Sequence, residues 1–132
     1  MTLKILQPPG WPKPKGYANG IAVRGGTTLY VAGQVGFNDR GAIEEATFAG
    51  QFRQVLKNTL AVLAEGGARP EHIVRMTWYV TDKREYLGAL KEVGAAWREL
   101  MGRHYPAMAV VQVGGLVEDA AKIEIETTAV VP

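Results

Sequence analysis

The sequence predicts an α+β domain in which one layer of helices covers one mixed sheet. Two observations carry this. The hydrophobic period alternates between strand and helix in the order β-β-α-β-α-β-β, and each helical segment has a single apolar stripe, which suits two helices on one face of a sheet. A third observation bounds it: 132 residues make one domain, expected to span 1–132, large enough to bury a core and too small for two. Two helical crossovers of this length should set parallel strands side by side, with hairpins supplying antiparallel pairs.

The elements follow in order. Residues 1–16 carry Pro8, Pro9, Pro12 and Pro14 and read as an extended, polyproline-like lead-in, with Trp11 as its candidate anchor to the body. "GIAVRGGTTLYVAGQVG" holds two β-rich runs, Ile21–Arg24 and Leu29–Ala32. The Gly25-Gly26 pair between them reads as a hairpin turn, because paired glycines supply the positive φ that tight turns require. From Thr47 the period becomes helical, with Phe48, Phe52, Val55, Leu56, Thr59, Leu60 and Leu63 on one stripe, until Gly66-Gly67 ends the helix. "HIVRMTWYV" (72–80) is a strand. Asp82 with Glu85 forms a capping-box pattern that opens a second helix, whose stripe is Tyr86, Leu90, Val93, Trp97 and Leu100 and which Gly102 closes. Strands over Ala107–Val113 and Lys122–Val131 complete the chain.

Composition excludes several classes of function. The formal charge is only +2 and the basic residues are scattered, with no basic stripe interleaved with aromatics, so nucleic acid is not the expected partner. Cysteine is absent, which removes disulfides, thiolate zinc sites and thiol catalysis, and suits a cytoplasmic location. Serine is absent too, excluding a serine nucleophile. No apolar run reaches the roughly 18 residues of a membrane span. The strands "LYVAGQV", "MTWYV" and "AMAVVQV" read as apolar on both faces although the helices can cover only one. The uncovered face predicts association sheet to sheet.

Few residues offer chemistry. His72 reads as a surface residue beside the Pro70 turn. His104, at the mouth of the "YPAMAVVQV" strand, is either structural or a binding residue. The two histidines lack a local carboxylate pattern, so no metal site is expected. In that strand Met108, Val110 and Gln112 share one face and Ala107, Ala109, Val111 and Val113 the other, so one face is a candidate cleft wall. In "KIEIETTAVV", Glu124 and Glu126 share a face with Lys122 and Thr128. Either this is a solvated edge-strand face, or Glu124 lies in a cleft where desolvation raises its pKa into the range useful for acid–base work. Tyr17 is either a packed aromatic or a phenol that orients a substrate.

The stretches "KGYANGI", "LYVAGQVG", "QFRQVLKNTLAVLAEGGA", "HIVRMTWYVTD", "YPAMAVVQV" and "KIEIETTAVV", in this order, resemble the RidA/YjgF family of reactive-intermediate (enamine/imine) deaminases, which also carries the older L-PSP ribonuclease name. The resemblance runs from about Gly16 to Val131. It implies the chorismate-mutase-like fold, a homotrimer whose sheets meet in a central barrel, and three small-molecule clefts between subunits, with no cofactor. In deaminating members an arginine after the Pro-Ala of the "YPAM" strand clamps the substrate carboxylate; here that position is Met108. The family's serine before Gly-Gln is Ala32, its cysteine two residues past the arginine is Val110, and its asparagine on the second helix falls at Leu90. Tyr17, Gly33 and Glu124 carry over, the last two as backbone and acid–base elements of the cleft.

A methionine cannot imitate the planar, bidentate geometry of an arginine–carboxylate pair. The resemblance therefore implies a greasier cleft, walled by Met108, Val110 and Gln112 and served by Glu124. It fits a hydrolase of enamines, imines or related unsaturated intermediates with altered specificity, or else a non-catalytic trimer that binds a small metabolite or protects other proteins.

Overall fold

The computed structural model describes residues 2–132. The strands β3 (Thr27–Gln34), β4 (Ile73–Val80), β5 (Ala107–Gln112) and β6 (Ile123–Val131) make a four-stranded sheet in the order β3-β6-β4-β5. β6 pairs antiparallel with both β3 and β4, whereas β4 and β5 run parallel. That parallel pair requires a long crossover. It contains α2 (Lys83–Gly88) and α3 (Leu90–Met101), while α1 (Phe48–Glu65) lies between β3 and β4. The predicted fold class is thus the observed one.

The pleat decides which side chains meet the helices. Ile123, Ile125, Thr127 and Ala129 of β6 and Met76, Trp78 and Val80 of β4 are buried. They pack beneath Phe52, Val55, Leu56 and Leu63 of α1 and Val93, Ala96, Trp97 and Met101 of α3. α1 starts where the Thr47 hydroxyl accepts a hydrogen bond from the Gly50 amide at 3.0 Å, satisfying one of the free N–H groups of the first turn. Its stripe carries one polar residue that periodicity alone treats as a gap. Gln51 is 2 % exposed. Its amide donates to the carbonyls of Glu45 (3.1 Å) and Ala120 (2.9 Å) and accepts from the Lys122 amide (2.7 Å), tying the loop before β6 to the helix.

Several local expectations are corrected. The lead-in is not polyproline throughout: Thr2–Leu6 forms β1, antiparallel to β2 (Gly20–Arg24). Trp11 is 59 % exposed, so its side chain does not pin the lead-in into the core. Gly25 and Gly26 do take φ of 78° and 80°. However, the strands they join pair elsewhere, β2 with β1 and β3 with β6, so there is no β2–β3 hairpin ladder. β2 instead carries the chain from the β5 edge, where Ala18 bridges Ala107, to the β3 edge. The second helix is broken at Ala89 into α2 and α3. Asp82 caps α2 by accepting from the Arg84 amide at 2.9 Å, but Glu85 does not close the capping box; both its oxygens accept from the Lys122 ammonium at 2.9 Å. His72 is buried, and its Nδ1 accepts from the Arg69 amide at 2.9 Å to cap a short 3-10 turn.

The face away from the helices is uncovered within one chain, but it is mixed rather than plainly apolar. Tyr30 is 83 % and Val111 41 % exposed. They share this face with Arg75, Thr77, Tyr79, Glu124, Glu126 and Thr128, as the strand register requires. Single strands look apolar on both sides, but pairing through β6 brings Arg75, Glu124 and Glu126 onto the same face as Tyr30 and Val111.

Candidate functional site

Strand register divides the sequence-predicted residues between two sides of the sheet. Met108, Val110 and Gln112 pair with Met76, Trp78 and Val80, placing them on the helix-covered face. Glu124 pairs with Tyr79 on the other face. Within one chain, then, Glu124 does not lie beside Met108 and Gln112, because the sheet stands between them.

On the helix side, four of the candidates converge. Tyr17, Leu90, Met108 and Val110 line a cavity of about 490 Å³ between the end of the lead-in, α3 and β5. Tyr17 is carried there by its neighbour, since Ala18 is buried, bridges Ala107 and donates its amide to the Pro106 carbonyl at 2.9 Å. Four further walls are aromatic, Trp78, Tyr86, Trp97 and Tyr105, beside Val93 and two glycines. Trp97 and Tyr105 stack with ring centres 5.9 Å apart, and Tyr86 meets Trp78 edge to face at 6.2 Å. Burial pushes the Tyr86 phenol above its usual pKa. The Trp78 indole N–H is buried with no hydrogen-bond partner among the described residues, an unusual state for a strong donor. Two cations, Lys15 and Arg98, complete the lining, and neither forms a salt bridge among the described residues.

On the open side, Glu124 and Gly33 touch. A Cβ built on Gly33 would lie 2.4 Å from Glu124 Oε2, so the carboxylate occupies the space that the glycine leaves. The register of β3 against β6 shifts between Val31 and Gln34, a bulge that brings this backbone toward the carboxylate. Glu124 is half-buried. Ala32 lies one residue away in a shallow depression with Tyr30, Arg75, Thr77 and Glu126. Glu126 accepts a 2.6 Å hydrogen bond from the Tyr79 hydroxyl, which raises the phenol's pKa because the bond is made to its protonated form.

Two candidates serve the fold. Gln112 does not line the cavity; its Oε1 accepts from the Lys83 amide at 2.8 Å, satisfying a free donor at the start of α2. His104 Nε2 lies 2.6 Å from the Ile73 carbonyl and its own carbonyl accepts from the Trp97 indole at 3.1 Å, pinning the turn into β5. It borders a separate depression with Lys13, Arg103 and Tyr17. No group of three His, Cys, Asp or Glu is placed to hold a metal among the described residues.

Sequence reading missed Lys15, Trp78, Arg98 and Tyr105 as cavity residues. For Arg98 a signal exists: Leu90, Gly94 and Arg98 recur every four residues, so they line one edge of α3 beside its apolar stripe.

A helix pair over a mixed sheet, with a cavity where the lead-in meets β5, defines a small-molecule-sized site on an α+β fold. The family profile described as Endoribonuclease L-PSP matches residues 12–131. The chain is 31 % identical over 117 residues to the 2-iminobutanoate/2-iminopropanoate deaminase of Escherichia coli, covering 86 % of each chain. It is 33 % identical over 132 residues to a RutC family protein of Aquifex aeolicus, covering 97 % of this chain and 99 % of that one. Among solved structures, the Rid-family protein YyfB of Yersinia pestis superposes with a TM-score of 0.86 at 28 % identity, over 99 % of this chain and 100 % of the other. The chain belongs to the L-PSP endoribonuclease family, the RidA/YjgF proteins. Among the described residues, no helix is long and apolar enough to cross a membrane.

Proposed function

We propose that this chain is a Rid-type hydrolase of an enamine, imine or related unsaturated intermediate, with a specificity altered by methionine at position 108. The observation that carries this reading is the convergence of Tyr17, Leu90, Met108 and Val110 on one aromatic-walled cavity. In the reaction, water adds across the C=N bond and the resulting carbinolamine expels ammonia, leaving a carbonyl product. Glu124 takes the proton from the attacking water and returns it to the departing nitrogen, while Tyr17 and the Gly33 backbone orient the substrate. Because the sheet separates Glu124 from Met108, this chemistry requires Glu124 of one copy to reach the cavity of another, which a trimer with interfacial sites would provide.

Met108 removes a two-bond carboxylate clamp. Hydrogen bonds to charged groups contribute about 1.5–3 kcal/mol each, so hydrolysis of small 2-iminoacids should be slower by about 10²-fold or more than in an arginine-bearing relative. The test is a coupled assay in which a pyridoxal-phosphate dehydratase generates 2-aminoacrylate, alongside larger aromatic imines. Turnover of aromatic imines but not 2-iminopropanoate supports the proposal. Inactivity toward every imine favours a non-catalytic metabolite-binding trimer, a reading motivated by the distance that the sheet puts between Glu124 and the cavity within one chain.

A further inference from the structure

The cavity contains more than its greasy walls, and what it contains specifies a ligand. At its edge the Arg98 guanidinium folds back along α3, so that Nη1 would lie 3.2 Å from a Cβ on Gly94. A glycine inside a helix costs about 1 kcal/mol relative to alanine. Here it leaves open the surface on which the guanidinium rests, beside the cavity. Lys15 is the second cation of the lining, and neither has a salt-bridge partner among the described residues. In the wall itself, the Trp78 indole N–H is buried and has no hydrogen-bond partner among the described residues. Around these donors stand Tyr86, Trp97 and Tyr105.

Unpaired cations ask for an anion, and flat aromatic walls ask for a flat π-system. We propose that Arg98 holds the carboxylate of a planar aromatic acid in this cavity, with Lys15 adding charge at the rim and the ligand's ring lying among Trp97, Tyr105 and Tyr86. Arg98 thus supplies, from a helix, the anion recognition that position 108 cannot. The inference rests on the reading of this cavity as the substrate site and names the class of substrate it selects.

The experiment measures binding without turnover. The purified full-length protein is titrated calorimetrically with phenylacetate, with its neutral analogue phenylacetamide, and with propionate. Phenylacetate should bind about tenfold or more tightly than phenylacetamide, and propionate weakly for want of a ring. Arg98→Met should bring phenylacetate and phenylacetamide to within about twofold of one another, and Arg98→Lys should restore part of the preference. Gly94→Ala should also weaken phenylacetate, because its methyl crowds the guanidinium off its resting surface by a few tenths of an ångström, while its melting temperature holds or rises. That pairing is one a folding defect cannot produce. Equal binding of acid and amide by the wild type, no binding of either, or a preference that survives Arg98→Met overturns the proposal. Arg98-dependent phenylacetate binding in a protein that hydrolyses no imine would sink the hydrolase reading and leave this one standing. Imine turnover unaffected by Arg98→Met would do the reverse.

Discussion

At Gly33 there is no room for a methyl group, because the Glu124 carboxylate fills it. Gly33→Ala must therefore drive that carboxylate out of its place or push the β3 bulge away from β6. Either movement should lower turnover by about as much as Glu124→Gln, which keeps the shape of Glu124 but removes its titrating proton. Glu124→Gln should abolish turnover with the melting temperature nearly unchanged. Glu126→Gln retains an oxygen to accept from Tyr79 and should leave turnover close to wild type. Steady-state rates and melting curves on the three variants decide it, and an active Glu124→Gln returns Glu124 to a solvated strand face. The alternation of "KIEIETT" gave the shared face of Glu124 and Glu126 directly. That Glu124 lies opposite Gly33 and across the sheet from Met108 was not legible, because facing depends on the pairing of β6 with β3 and β4 and of β4 with β5, which periodicity within a strand does not contain.

At the scale of elements, polar residues placed on apolar stripes bind the pieces together. Gln51 is buried on the Phe48–Phe52 side of α1 and makes three hydrogen bonds, two to the loop before β6 and one to Glu45 before the helix. Gln51→Leu keeps the volume but strands the Lys122 amide and two carbonyls. At about 1–3 kcal/mol for each buried group left unpaired, and with solvent reaching some of them, the loss should be about 3 kcal/mol. Urea unfolding should show a lower midpoint with an unchanged slope. Thr47→Ala removes only the cap and should cost about 1 kcal/mol. Element boundaries in the sequence followed such local chemistry well for α1, where Thr47 and Gly66-Gly67 bracket the stripe. They failed at Ala89, where one apolar stripe runs through a break, and at Glu85, where a lysine 37 residues away outcompetes the capping box. β1 was missed because four prolines after it gave the whole lead-in an extended, unpaired look.

At the scale of the whole molecule, the sheet presents half of the expected machinery on each side: Tyr17 and Met108 under the helices, Glu124 and Gly33 on the uncovered face. A trimer that sets the β5 edge of one copy, beside its cavity, against the uncovered face of the next would bring one copy's carboxylate to another's cavity. Light scattering should therefore give three times the 14.3 kDa chain mass. A sharper test exploits the division of the site. Glu124→Gln and Tyr17→Phe each disable one half, so each variant alone should be nearly inactive. When the two are unfolded together and refolded as a mixture, a shared site is intact wherever the copy offering Glu124 is the Tyr17→Phe chain and the copy offering Tyr17 is the Glu124→Gln chain. Random assembly gives that arrangement at about a quarter of the sites. Recovery of about a quarter of wild-type activity establishes that neighbouring copies build the site jointly. If the mixture stays as inactive as its components, no site is shared between chains, and the separation of Glu124 from the cavity by the sheet is the final arrangement rather than one half of a working cleft.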